Sequence, residues 1–278
     1  MRLTHSKIAG LLRCIGFASL CAGTFSSQAI IVRHDVRADA YEVSDEDYPA
    51  VFFIEKQGSR KVCAATVIHP RWAISAAHCA DETTLGDTIA HRRRFAVEVG
   101  GKTREIDAII RHPDSDINSS SDVDLVLMRF REESNSPSPY PIQLESDELG
   151  ATVRLVGWGY FGLGLYGRQF DDGKMRMAKN TIDYAQARLR ISFDDPRRSS
   201  DAPLDLEGMP SLGDSGGPAL LESTSGLVLA GIAVGELKGP DFSEETQGKY
   251  GAVAVYERLS KHLIWIETVI GSKAPFDS

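Results

Sequence analysis

A serine set between small residues is the first stretch of this chain that suggests chemistry. In Gly213-Asp214-Ser215-Gly216-Gly217-Pro218 the glycines let the backbone turn tightly and let another molecule approach the hydroxyl. A serine hydroxyl is a weak nucleophile at neutral pH. It needs a neighbouring base, and the base needs a group that orients it. Two other stretches offer those residue types. AISAAHC (73–79) ends an apolar run on His78. In DLVLMRF (124–130) Asp124 opens an apolar run, where burying a carboxylate is costly without a partner. Each alone fits an ordinary structural residue. Together, Ser215, His78 and Asp124 make a nucleophile, a base and an orienting acid, with Asp122 as a second candidate for the acid.

Rigid elements must position these groups, and the chain is mostly short β segments. Residues 50–54, 61–68, 95–99, 104–111, 124–130, 153–158, 187–193, 227–234 and 251–256 are rich in Val, Ile and Phe, with turn formers between most of them. Many short strands without intervening helices point to barrels or a sandwich. Leu259, Leu263, Ile266 and Ile270 recur at helical spacing before Gly271, which predicts one helix at about 257–270. Residues 131–148 are polar, contain three prolines and read as a linker between two β halves. The serine stretch also satisfies the G-x-S-x-G pattern of α/β-hydrolases, with Asp241 and His262 following in that fold's order. That pattern needs a helix after the serine, which Pro218 opposes, and His262 already belongs to the terminal helix pattern.

Arg2, Lys7 and Arg13 form a basic head, residues 14–22 an apolar run, and Ser27-Gln28-Ala29 a cleavage-like end. The run is too short to span a bilayer. Residues 1–29 therefore read as a signal peptide, which predicts a secreted or periplasmic protein with no stable membrane anchor. Its loss takes the formal charge from -8 to -11, which argues against nucleic acid as a partner. The remaining 249 residues suffice for one large domain or two small halves. Cys14 and Cys21 leave with the signal, and Cys63 and Cys79 read as one disulfide. Cys, His and acidic residues show no metal-ligand spacing, so neither metal nor cofactor is expected. The basic HRRRF (91–95) reads as an exposed loop, and GLGLYG (162–167) as a mobile loop near the active face.

With these stretches in place, the chain resembles the trypsin/chymotrypsin-like serine peptidases, in an exported, bacterial-type form. SAAHC (75–79) resembles the family's histidine motif, DLVLMRF its aspartate motif and GDSGGP its serine motif nearly letter for letter, in the order His, Asp, Ser. Further matches at 111–116, 156–159, 229–234 and 255–266 extend the resemblance over nearly all of the chain after residue 29. It implies an all-β fold of two six-stranded antiparallel barrels with a C-terminal α-helix. The first barrel would occupy about 30–135, the linker about 131–148 and the second barrel about 149–256.

The activity implied is endopeptidase cleavage of protein or peptide substrates by a monomer, through an acyl-enzyme. Ser215 would attack, His78 would carry the proton, Asp124 would orient His78, and the N–H groups of Gly213 and Ser215 would bind the oxyanion. Asp124 fits better than Asp122, because Arg129 and Phe130 then fall on the family's basic and apolar strand positions. Cys63–Cys79 matches the disulfide beside the histidine. Counting six residues back from the serine places Met209 at the base of the substrate pocket, with Val234 and Ala254 on its walls, so the pocket is expected to be neutral and apolar. Glu236 stands there in place of a small residue. Ile30-Ile31-Val32 resembles the family's activated N-terminus, whose α-amino group would pair with Asp214. A catalytically silent binding protein on the same fold is the alternative.

Overall fold

The computed structural model describes residues 30–115, 123–224, 226–238, 242–243 and 247–271. Residues 1–29, expected to be a signal peptide, and Asp122 and Asp241 lie outside them. Side-chain alternation decides how the strands sit. In Phe95–Val99, Phe95, Val97 and Val99 turn inward while Ala96 and Glu98 face solvent, the period of a half-buried strand. Six strands make the first sheet, ordered Val51–Gln57, Arg60–His69, Trp72–Ser75, Val126–Phe130, Lys102–Arg111, Phe95–Val99, all antiparallel. Its two edge strands approach each other, so the sheet curls around Phe52, Ile54, Val67, Ile74, Ile106, Leu127 and Phe130.

The second sheet has seven antiparallel strands, ordered Arg176–Thr181, Thr152–Gly157, Pro218–Ser223, Gly226–Glu236, Val253–Arg258, Arg188–Ser192, Tyr184–Ala185. It wraps Leu155, Leu189, Ile191, Ala230 and Tyr256. These are the two expected barrel-like halves, the second one strand larger because Tyr184–Ala185 adds a short edge.

A third, four-stranded sheet was not expected. Its order is Gly167–Phe170, Phe161–Leu163, Ile31–Val32, Gly208–Met209. Two readings are corrected here. Residues 162–167 belong to a hairpin, not to a mobile loop. Ile31–Val32, expected in the first barrel, lie parallel to Phe161–Leu163 and antiparallel to Gly208–Met209, both from the second half. A strand on either side satisfies the backbone groups of this apolar segment, whose side chains are fully buried.

The terminal helix is also shorter than expected. Glu257 and Arg258 continue the last strand, in register with Arg188 and Gly231. A 3₁₀ turn at Leu259–Lys261 follows, then an α-helix at Leu263–Ile270 that Gly271 ends in the left-handed conformation.

Residues 131–148 pass between the sheets, the Tyr140 N–H donating to the Val67 carbonyl and the Gln143 N–H to the Leu229 carbonyl. Glu148, at the end of this passage, is fully buried against Arg258. Arg258 also donates to the carbonyls of Ala185 (2.8 Å) and Gln186 (3.0 Å), and the Ser260 hydroxyl donates to Glu148 (2.7 Å). Removing one member of such a pair leaves a buried charge uncompensated. Glu148→Ala is therefore expected to destabilise the protein by about 3–5 kcal/mol, read as a lowered midpoint in urea unfolding.

Candidate active site

Two paired strands bring the histidine and the aspartate together. Trp72–Ser75 runs antiparallel to Val126–Phe130, with Ser75 opposite Val126. His78 lies three residues beyond one strand end and Asp124 two before the other, so both emerge at the same end of the pair. His78 caps the short helix Cys79–Glu82, and the Cys63–Cys79 disulfide ties that helix to the strand Arg60–His69. The His78 backbone N–H donates to Asp124 Oδ1 at 2.9 Å, and His78 Nδ1 lies 2.5 Å from Asp124 Oδ2. Nδ1 is thus the protonated nitrogen, and Nε2 is left as the base.

Burial on its own lowers the His78 pKa, but the hydrogen bond and charge of Asp124 outweigh it and raise the imidazole above its ordinary value. Burial likewise pushes the Asp124 carboxyl up, and its hydrogen bonds from His78 outweigh that and hold it below the usual range.

Ser215 comes from the loop before Pro218–Ser223 and sits on the seam between the sheets. Its carbonyl accepts from the Ala64 N–H (2.7 Å) in the first sheet, while the next residue, Gly216, donates its N–H to the Ala233 carbonyl (2.7 Å) in the second. Gly216 has φ 78°, and a Cβ there would lie 2.1 Å from the Ser75 hydroxyl and 2.2 Å from the Ala64 carbonyl oxygen, so only glycine fits. The N–H groups of Gly213 and Ser215 meet no acceptor among the described residues. No hydrogen bond joins His78 to Ser215 there either; Nε2 lies 3.9 Å from Cys79 Sγ. Such contacts often close only when substrate is bound.

Ser215 and His78 both line a cavity of about 310 Å³, whose walls include Pro210, Leu212, Ala233, Val234, Glu236 and Phe242. Of the three expected pocket residues, only Val234 lines it. Met209 and Ala254 are fully buried in the second core. Met209 is strand-paired with Ile31 and Ala254 with Ile191, and all four side chains pack together in that core. Glu236 accepts the Gly248 N–H at 3.0 Å, and burial pushes its carboxyl up to about 6. A second cavity of about 230 Å³ flanks His78 and Asp124 on the side of Arg111 and Arg188.

Asp214, beside the nucleophile, is buried and accepts the N–H groups of Gly159 (2.6 Å) and Ser211 (2.9 Å). Among the described residues no cation pairs with it, and burial pushes its carboxyl up to about 6 despite those hydrogen bonds. A Cβ on Gly157 or Gly159 would collide with this carboxylate. Ile30 is buried too, 1% exposed.

His262 packs against the ring of His112, which itself packs against Trp265, and it lines neither cavity, which removes it from any hydrolase triad with Ser215. Nitrogen and sulfur atoms of Cys63, His78 and Cys79 lie within 4.8 Å of one another. The disulfide leaves no thiolate there to bind a metal. Reading the sequence missed Glu257, whose carboxylate accepts the Asp124 backbone N–H at 3.0 Å. An acidic residue continuing an otherwise apolar strand was the available signal.

The family model described as Trypsin matches residues 38–266. Transmembrane protease serine 9 of Rattus norvegicus is 27% identical over 233 residues, covering 78% of this chain and 20% of that protein. The snake venom serine protease serpentokallikrein-1 of Protobothrops mucrosquamatus is 27% identical over 217 residues, covering 76% of this chain and 78% of its own. The chain thus spans about a fifth of the first relative and most of the second. Among solved structures, neuropsin, a serine protease expressed in the limbic system of mouse brain, superposes with a TM-score of 0.60 at 18% identity, covering 83% of this chain and 98% of its own. That likeness identifies the two-barrel, chymotrypsin-like fold. These relatives are of rat, snake-venom and mouse origin, so a bacterial type finds no support in them. No helix among the described residues is long and apolar enough to cross a membrane.

The His78–Asp124 contact has a direct spectroscopic consequence. By ¹H NMR, the His78 imidazole is expected to titrate above the ordinary histidine value of about 6.5. In Asp124→Asn burial is opposed only by the lesser charges of Glu82 and Asp81, and the titration is expected to move down.

Proposed function

The chain belongs to the trypsin family of serine endopeptidases, which act on protein substrates, and on that premise we propose that it is an exported protease working through Ser215, His78 and Asp124. The observation that carries the proposal is the His78 Nδ1–Asp124 contact of 2.5 Å at a cavity that His78 shares with Ser215. Ser215 attacks the peptide carbonyl while His78 Nε2 takes its proton and returns it to the leaving amine. Asp124 fixes the tautomer and stabilises the charged imidazole. The N–H groups of Gly213 and Ser215 receive the oxyanion, as their lack of acceptors supports. The apolar walls around Val234 favour uncharged side chains at the scissile residue, with Glu236, Glu82 and Lys238 the charged residues that also line the cavity.

Export rests on the segment 1–29, whose cleavage after Ala29 would leave Ile30 as the N-terminus. Its α-amino group is the cation that Asp214 lacks. That charge beside it stabilises the ionised Asp214 carboxylate, and the oxyanion loop is held from below. No separate pro-segment stands between the signal and Ile30, so removal of the signal is itself the activating cut. The catalytically silent alternative draws support from the missing His78–Ser215 hydrogen bond.

Two experiments bear on these readings. A fluorophosphonate probe is expected to label Ser215 in the exported protein and not in His78→Ala, with kcat falling by about 10⁴-fold or more in Ser215→Ala and His78→Ala. Absence of labelling in correctly processed protein would favour the binding module. N-terminal sequencing is expected to find Ile30 first. A free α-amino group titrates at about 8, and pairing with a carboxylate raises that value, so activity should persist through neutral pH and be lost in strong alkali. Full activity in a protein beginning elsewhere would exclude the Asp214 pairing.

A further inference from the structure

Glu257 continues the last strand of the second sheet as an almost fully buried carboxylate. Its cross-strand partner is Arg188, which donates to Glu257 Oε1 from Nε at 2.8 Å and from a terminal nitrogen at 2.6 Å. The same oxygen accepts the backbone N–H of Asp124, 133 residues away in sequence, at 3.0 Å. His262 lies on its other side, 3.8 Å from Oε2. Burial, together with His112, pushes the His262 imidazole down to about 4, so it is neutral at physiological pH and, among the described residues, Arg188 balances the carboxylate.

Both oxygens of the Asp124 side chain are engaged by His78. The one hydrogen-bond donor on this residue is its backbone N–H, and Glu257 accepts it. A charged acceptor makes a shorter and stronger hydrogen bond than a carbonyl does. The bond also crosses between sheets, because Asp124 precedes a strand of the first sheet while Glu257 and Arg188 belong to the second. Ser215 is carried by a loop of the second sheet. Fixing Asp124 to that sheet therefore fixes His78 relative to Ser215.

We infer that Glu257 is a positioning residue for the proposed triad, a carboxylate strut, held by Arg188, that sets Asp124 and through it His78 against the nucleophile. The inference rests on the triad proposed above. Glu257 lines neither cavity, so its loss acts on turnover and not on substrate binding.

The test compares Glu257→Ala, Glu257→Gln and Asp124→Asn in the full-length, exported protein, using a p-nitrophenyl ester whose burst counts active sites. Both Glu257 variants lose the charge pair with Arg188 and are expected to lose thermal stability alike. Only Gln keeps an oxygen that accepts the Asp124 N–H. Glu257→Ala is expected to lower kcat per titrated site by up to about 10²-fold with KM unchanged, while Glu257→Gln retains most of the parental kcat. Turnover then follows the acceptor and stability follows the charge. Parental kcat in Glu257→Ala, or an equal loss of kcat in both variants, would overturn the inference while Asp124→Asn stays inactive. Parental activity in Asp124→Asn would overturn the triad itself and this inference with it.

Discussion

Two hydrogen bonds on adjacent residues hold the candidate nucleophile in place. The Ser215 carbonyl is bonded to Ala64 of one sheet, and the Gly216 N–H to Ala233 of the other. The serine cannot follow either barrel alone. Its relation to His78, which rides on the first sheet, is set by how the sheets meet. Everything else that matters near the site reinforces that seam. The disulfide fixes the start of the His78 helix to the strand that carries Ala64. Glu257 reaches across to Asp124, and the passage 131–148 bonds to both sheets before ending on the Arg258–Glu148 pair.

Buried carboxylates do much of this tying, and each is compensated differently. Glu148 has an arginine and a hydroxyl, and is held below its ordinary pKa although burial pushes the other way. Asp124 has an imidazole and a backbone N–H. Among the described residues Glu207 accepts only the backbone N–H groups of Asp194 and Leu204, and burial pushes its carboxyl up to about 7. Asp214 resembles Glu207 in this respect, with hydrogen bonds but no cation. In both, burial outweighs the hydrogen bonds and raises the carboxyl, which makes Asp214 the one beside the nucleophile that a new positive charge would change most.

Ser215 and His78 stood out in the sequence because their requirements are local: small residues around a hydroxyl, and a strand running into a histidine. Asp124 could be placed through its register with Arg129, which in the structure pairs with Asp107 at 2.8 Å. Glu257 could not be read, since its target is a backbone N–H that no local spacing marks. Met209 was placed by counting, and counting is blind to side-chain direction, which in the structure takes it into the core with Ile31. The strand Arg176–Thr181 escaped notice because it is polar. Arg176 is buried between Glu42 and Asp172, and Asn180 donates to the carbonyls of Ser192 and Gly208. Tertiary partners make those polar residues compatible with a buried face, and none of the partners is a sequence neighbour in the strand.

The position of Ile31–Val32 between two other strands imposes an order of events. A peptidase needs an extended, accessible chain around the bond it cleaves, and here Ile30 is already buried and the next two residues are paired on both edges. Once that small sheet has closed, the residues following Ala29 are out of reach. On the proposed export, cleavage at this bond would belong to the time of translocation, before the second half of the chain has folded, because Gly208–Met209 and Phe161–Leu163 are synthesised long after it. The maturing chain would be cut while still incapable of catalysis, and would acquire its active loop only as the freed segment is closed into the sheet.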